Sequence, residues 1–213
     1  MGEAWLERWQ EGRIGWHEED GNRSLKKHWT ASGKRVLVPL CGKSVDMLWL
    51  EGQGNEVYGI ELSGIAVRAF FDENELDFEE YDGARHRFVA IDRRITIIRG
   101  DYFEFSGELF DACYDRGAFA ALPAAARPNY AEHTSALLLP GAYHLLLTLE
   151  YDQSLVAGPP FSTTAEEVDR YWPSLERIDA YDDIENGPPK FHDAGVGEMF
   201  EVVWRSAATT ERR

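Results

Sequence analysis

Gly42 and Glu61 stand 19 residues apart, with Leu40-Cys41-Gly42-Lys43-Ser44 following one apolar run and Glu61 near the end of the next. That is about the separation at which a strand-to-helix turn and a neighbouring carboxylate meet a nucleotide ribose. A carboxylate accepts both ribose hydroxyl protons, and a glycine lets backbone approach a ligand closely. Phosphate binding asks for more than this chain offers. Gly42-Lys43-Ser44 ends like a P-loop, but Leu37 stands where the first glycine belongs, and no G-x-G-x-x-G is present. A turn with a single glycine suits an adenosyl sulfonium better than NAD or ATP, which also disfavours a nicotinamide oxidoreductase.

Three further groups carry chemistry beside plainer readings. Gly100-Asp101-Tyr102-Phe103 follows a predicted strand, where an acid and an aromatic side chain hydrogen-bond and pack an adenine; alone it reads as a surface loop. Tyr114-Asp115-Arg116-Gly117-Ala118-Phe119 ends another strand, so Asp115 and Arg116 are expected to face the ligand crevice, or else to form a strand-end ion pair. Trp5, Trp9 and Trp16, with His17 beside them, suit an apolar lid over a sulfonium cation, whereas tryptophans at helical spacing also serve plain packing. His17 is read as a structural hydrogen-bonder before a base. Gly158-Pro159-Pro160-Phe161 is superficially like the signature of amino-group methylation on DNA, but lacks its Asn or Asp and follows the wrong strand.

These groups need a scaffold that brings strand ends together. The pattern predicts helices over 3–12, 24–31 and 124–139, the last closed by Pro140-Gly141. Ser63 is the expected N-cap of one helix, and Thr163-Thr164 with Glu166-Glu167 begin another as a capping box. Strands are expected at 35–40, 56–62, 109–114 and 143–150, with a hairpin over 86–99 and two late strands, 175–181 and 198–205. The late pair, with no long helix between, reads as an antiparallel hairpin. Such alternation predicts a doubly wound α/β sheet whose strand carboxyl ends form the binding rim. One domain is expected over 1–213, with residues 1–30 an appended helical lid segment.

Composition removes other classes. With 38 acidic and 22 basic residues, net charge −16, and no basic stripe, nucleic acid and anionic membranes are poor partners. The first ten residues lack an apolar leader, and no apolar run approaches a span of about 20 residues. Cys41 and Cys113 offer neither a disulfide framework nor a paired metal spacing, so no metal is expected. A cytoplasmic monomer acting on a small molecule is the resulting expectation.

Taken in order, these segments resemble the thiopurine S-methyltransferase family from about Trp5 to Trp204. The most specific parts are Val38-Pro39-Leu40-Cys41-Gly42-Lys43-Ser44 and Tyr58-Gly59-Ile60-Glu61-Leu62-Ser63. Phe110-Asp111 with Tyr114-Asp115-Arg116-Gly117-Ala118, and Gly158-Pro159-Pro160-Phe161, complete the set. The resemblance implies S-adenosylmethionine as cofactor, and a mostly parallel, seven-stranded Rossmann-like sheet with a C-terminal antiparallel hairpin. It implies that Trp5, Trp9 and Trp16 lie over cofactor and substrate, that Leu40, Gly42 and Glu61 contact the cofactor, and that Asp101 and Tyr102 lie near its adenine. Arg116 would sit where cofactor and substrate meet.

Trp16 stands where the mammalian member has a phenylalanine, and Lys190 where it has an arginine near the substrate. Lysine keeps the charge and loses the bidentate fork. Bacterial relatives are associated with detoxifying thiols, selenium and tellurium species, and plant relatives with thiocyanate and halides. The acceptor is therefore open: a thiol first, then selenium, tellurium, halide, hydroxyl or amine, beside a cofactor-binding protein without catalysis. A thiol of reference pKa about 8.5 is already partly ionised at neutral pH, so no strong base is required. Arg116, held by Asp115, is the expected pair beside the reacting atoms.

Overall fold

The computed structural model describes residues 2–206, which fall into two compact units that divide between Ala112 and Cys113. The first carries α1 (Gly2–Gln10), α2 (Arg23–His28), β1 (Arg35–Pro39), α3 (Asp46–Gly52), β2 (Glu56–Glu61), α4 (Gly64–Glu73), β3 (Phe78–Tyr81), β4 (His86–Ala90) and β5 (Ile95–Arg99). Its strand order is β3-β4-β5-β2-β1. β1 pairs parallel with β2, and β2 parallel with β5. Val36, Leu37 and Val38 are all buried, as a parallel strand covered on both faces requires.

The expected hairpin is present, β4 pairing antiparallel with β5. β3 was not expected. Phe78-Glu79-Glu80-Tyr81 does not alternate, and the strand forms because Phe78 packs on Phe71 of α4, ring centroids 4.6 Å apart, and on Phe88 of β4 at 5.6 Å. The Ser63 cap is as expected, its hydroxyl accepting from the Ala66 N–H at 3.3 Å.

The second unit carries β6 (Phe110–Arg116, which begins at the end of the first), α5 (Arg127–Ala136), β7 (Leu138–Glu150), α6 (Ala165–Tyr171), β8 (Leu175–Asp182), α7 (Pro189–Asp193) and β9 (Phe200–Ser206). The order here is β6-β7-β9-β8, with β7–β9 and β8–β9 antiparallel. The late hairpin thus holds, and Thr164 caps α6 through the Glu167 N–H at 3.2 Å. The described residues form nine strands, where the family resemblance implied seven and the residue pattern predicted eight; β3 is the one that had no sequence signal.

The junction of α5 and β7 differs from expectation. α5 stops at Ala136 and β7 starts at Leu138, although the helix was expected to reach Leu139. Pro140 disfavours helical backbone at the residue before it, and it lacks an N–H to donate. It is tolerated in β7 because residues 139–141 are exposed and the pairing with β9 begins only at Leu145. Among the described residues no helix is long and apolar enough to cross a membrane.

Candidate functional site

The turn after β1 is the most constrained backbone of the first unit. Leu40 has φ 46° and Gly42 φ 55°, both left-handed. A leucine there costs roughly 1–2 kcal/mol, and such strain collects at ligand-binding turns. Cys41 N–H still donates to Ile60 O at 3.1 Å, so the turn remains tied to β2.

Glu61 closes this arrangement. It is 7 % exposed. Its Oε2 accepts from the Gly42 N–H at 2.9 Å and its Oε1 from the Ser63 N–H at 2.6 Å. One carboxylate therefore joins the turn after β1 to the turn after β2. Burial raises its pKa, opposed by the N–H groups of Ser63, Gly42 and Leu62. A carboxylate has about four lone-pair sites, so three N–H donors leave capacity for a further hydroxyl.

α1 crosses both turns. A Cβ placed on Gly42 would meet Trp9 Cζ2 at 3.2 Å, and one on Gly2 would meet Leu62 Cδ2 at 2.7 Å. Trp16 packs edge-on against Trp5 at 5.1 Å and against Trp9 at 5.8 Å, so the three expected tryptophans form one cluster. His17 is half-buried directly after it. Asp101 and Tyr102 follow β5, where Gly100 N–H donates to Glu61 O at 2.9 Å. Asp101 is exposed and caps a short turn through the Phe103 N–H at 2.9 Å; Tyr102 is buried.

These residues fit an adenosyl group. Glu61 supplies desolvated acceptor capacity beside the left-handed Leu40 and Gly42, and Trp9 of the aromatic cluster lies against Gly42.

In the second unit, Asp115 departs from expectation. It is wholly buried and does not open onto a crevice. Oδ2 accepts from the Tyr130 hydroxyl at 2.7 Å and Oδ1 from the Phe119 N–H at 3.2 Å. Burial pushes its pKa up to about 6, against the Tyr130 hydroxyl and the N–H groups of Phe119 and Ala118. Its geometry is that of a positioning group for the turn that carries Arg116, which is itself half-buried. The Lys190 ammonium donates to Ala157 O and Pro159 O, each at 2.7 Å, and so fastens the Gly158-Pro159-Pro160 segment.

Sequence reasoning missed Arg127. This 2 % exposed guanidinium donates to Leu122 O at 3.0 Å, Ser162 O at 3.1 Å and Glu167 Oε2 at 2.6 Å, and lies over the Phe119 ring at 4.9 Å. It joins the segment after Asp115-Arg116 to the segment after Pro160. Only its place on the buried face of α5, beside Tyr130 and Ala131, was a signal.

A Rossmann-like α/β core with a carboxylate-bridged, single-glycine turn under aromatic cover defines an S-adenosylmethionine-dependent methyltransferase. The thiopurine S-methyltransferase family matches residues 1–209. The chain is 40% identical to the thiopurine S-methyltransferase of Bordetella petrii, with 95% of this chain and 96% of that one covered. It is 42% identical to that of Xanthomonas euvesicatoria pv. vesicatoria, with 94% and 96% covered. Among solved structures it is similar to a 1,6-didemethyltoxoflavin-N1-methyltransferase of Burkholderia thailandensis, TM-score 0.63 at 16% identity, covering 96% of this chain and 86% of that one. The chain belongs to the thiopurine S-methyltransferase family.

Proposed function

We propose that this methyltransferase acts on a small soft nucleophile, a thiol first among them. The observation that carries the reading is Glu61 bridging Gly42 and Ser63 beneath Trp9. The family match across 1–209 supports it. When bound, S-adenosylmethionine supplies an electrophilic sulfonium methyl, which an acceptor thiolate takes as the carbon–sulfonium bond breaks with its electron pair going to sulfur.

The chain's own residues bind and orient. Glu61 holds the ribose hydroxyls, Leu40 and Gly42 present backbone to the cofactor, and Asp101 and Tyr102 border the adenine. Trp5, Trp9 and Trp16 exclude water, which raises the reactivity of a thiolate, and their faces attract a cation. Positioning of the two reactants lowers the barrier by about 7–11 kcal/mol at most. Arg116 orients the acceptor and steadies its charge, Asp115 sets the turn behind Arg116, and Lys190 shapes the acceptor side through the carbonyls it holds. A thiol needs no dedicated base, since its proton reaches water before transfer.

The test is calorimetric binding of S-adenosylhomocysteine, followed by a methyl-transfer screen of aryl thiols, selenite, halides, phenols and amines. Tight binding lost in Glu61→Ala, with turnover of an aryl thiol, is the expected result. Turnover of phenols or amines alone would overturn the thiol assignment, and unchanged affinity in Glu61→Ala the cofactor assignment. Binding without turnover of any acceptor would mark a cofactor-binding protein instead.

A further inference from the structure

Arg99 ends β5 in register with Glu61 of β2, one strand away and two residues before Asp101. Neighbouring strands lie about 4.8 Å apart, so the two residues share one stretch of the carboxyl rim. The Arg99 side chain makes no hydrogen bond or ion pair with any described residue. It is nevertheless placed. A Cβ on Gly64 would stand 3.0 Å from Arg99 Cζ, 3.1 Å from Nε and 3.4 Å from Nη1.

Three such similar distances mean that the guanidinium presents a face, not an edge, to the first residue of α4. Glycine at 64 admits it at this distance, since a Cβ there would make the guanidinium give by a few tenths of an ångström. Stability gives no reason for the arrangement. Gly64 opens a ten-residue helix, and the N-terminus of a helix disfavours a cation. Arg99 is exposed, so a ligand at the rim can reach it.

A guanidinium laid flat on backbone within a ligand's reach is a platform for an aromatic ring. It is not set to clamp a carboxylate, which takes the edge of the fork. We propose that Arg99 is a cofactor-binding residue that stacks on the purine of the adenosyl group, with Gly64 as the floor that holds the guanidinium flat. The inference rests on the ribose lying at Glu61, because a base joined to that ribose falls between Glu61 and Asp101, where Arg99 lies.

Calorimetry with S-adenosylhomocysteine and with adenosine tests this on Arg99→Ala, Arg99→Lys and Gly64→Ala, with urea denaturation confirming that each variant is folded. Arg99→Ala weakens both ligands by the same factor, about ten-fold. Arg99→Lys recovers little of it, because an ammonium has no plane to stack, and Gly64→Ala weakens both in the same direction. Loss of S-adenosylhomocysteine affinity with adenosine unchanged would mean that Arg99 holds the amino-acid tail, which overturns the proposal. Unchanged affinity for both ligands overturns it as well. Glu61→Ala keeps the two assignments separable. If it has no effect while Arg99→Ala does, the ribose assignment fails and takes with it the placing of the purine at Arg99; the reverse pattern removes the platform alone.

Discussion

Trp9 rests its indole against the backbone of Gly42, so close that a Cβ at position 42 would lie 3.2 Å from its Cζ2. The contact joins the first helix of the chain to the turn that follows the first strand. It leaves room for backbone and for nothing larger.

Gly42→Ala is therefore expected to fail in two ways. Alanine at φ 55° costs roughly 1 kcal/mol or more in backbone strain, and its methyl must displace Trp9. Urea denaturation should read a loss of about 1–2 kcal/mol. Calorimetry should show S-adenosylhomocysteine affinity falling further than stability alone explains. A variant that binds normally would separate the tryptophan cluster from the cofactor.

Much of this scaffold was legible in the residues themselves. The Ser63 and Thr164 caps, the Val36-Leu37-Val38 strand and the β4–β5 hairpin follow from local rules, because capping and buried apolar runs act over a few positions. The pairing of Gly42 with Glu61 was visible as a spacing. What was hidden depends on chain reversals. β3 exists because Phe78 finds Phe71 and Phe88, Arg127 is buried because three segments converge on it, and the Trp9–Gly42 contact spans 33 positions. Asp115 read as a crevice acid because an Asp-Arg pair at a strand end looks the same in sequence whether its carboxylate faces outward or, as here, toward Tyr130.

Asp115 gives a pH dependence with a definite sign. Its folded pKa is raised to about 6 by burial, above an unfolded value of about 4. The folded state thus holds the proton more tightly. The stability this group contributes is complete below about pH 4 and is lost as pH rises through about 6. Asn cannot titrate and also gives up one of the two accepted hydrogen bonds. Asp115→Asn should therefore be less stable than the parent, with the deficit larger at pH 4 than at pH 7. Paired urea titrations at the two values check this, and a deficit that grows with pH would contradict it.

Arg127 is a buried cation whose donors are committed to protein. Arg127→Met leaves Leu122 O and Ser162 O without that donor and Glu167 without its partner, at a cost of about 3–5 kcal/mol. Arg127→Lys should recover little, since an ammonium cannot reach carbonyls and carboxylate with a planar fork. Chemical denaturation reads both. A double-mutant cycle with Glu167→Gln isolates the ion pair, whose coupling should be well below the total because backbone carbonyls share the load.

Lys190 distinguishes holding a loop from touching a substrate. Its ammonium bonds Ala157 O and Pro159 O, each at 2.7 Å, and Tyr151 holds the same segment through a hydroxyl bond to Pro160 O at 2.7 Å. Lys190→Ala should loosen residues 157–160 while Tyr151 still anchors one end, so global stability should fall by only about 1–2 kcal/mol. If the segment shapes the acceptor side, KM for the acceptor rises and S-adenosylhomocysteine affinity does not change. Lys190→Arg sharpens the distinction. Arginine keeps the charge but must fit a broader, planar head between two carbonyls that now converge on one nitrogen, so it should restore KM only in part. If Lys190 met the acceptor directly, arginine would serve an anionic acceptor at least as well as lysine, and KM would fall to or below the parent value.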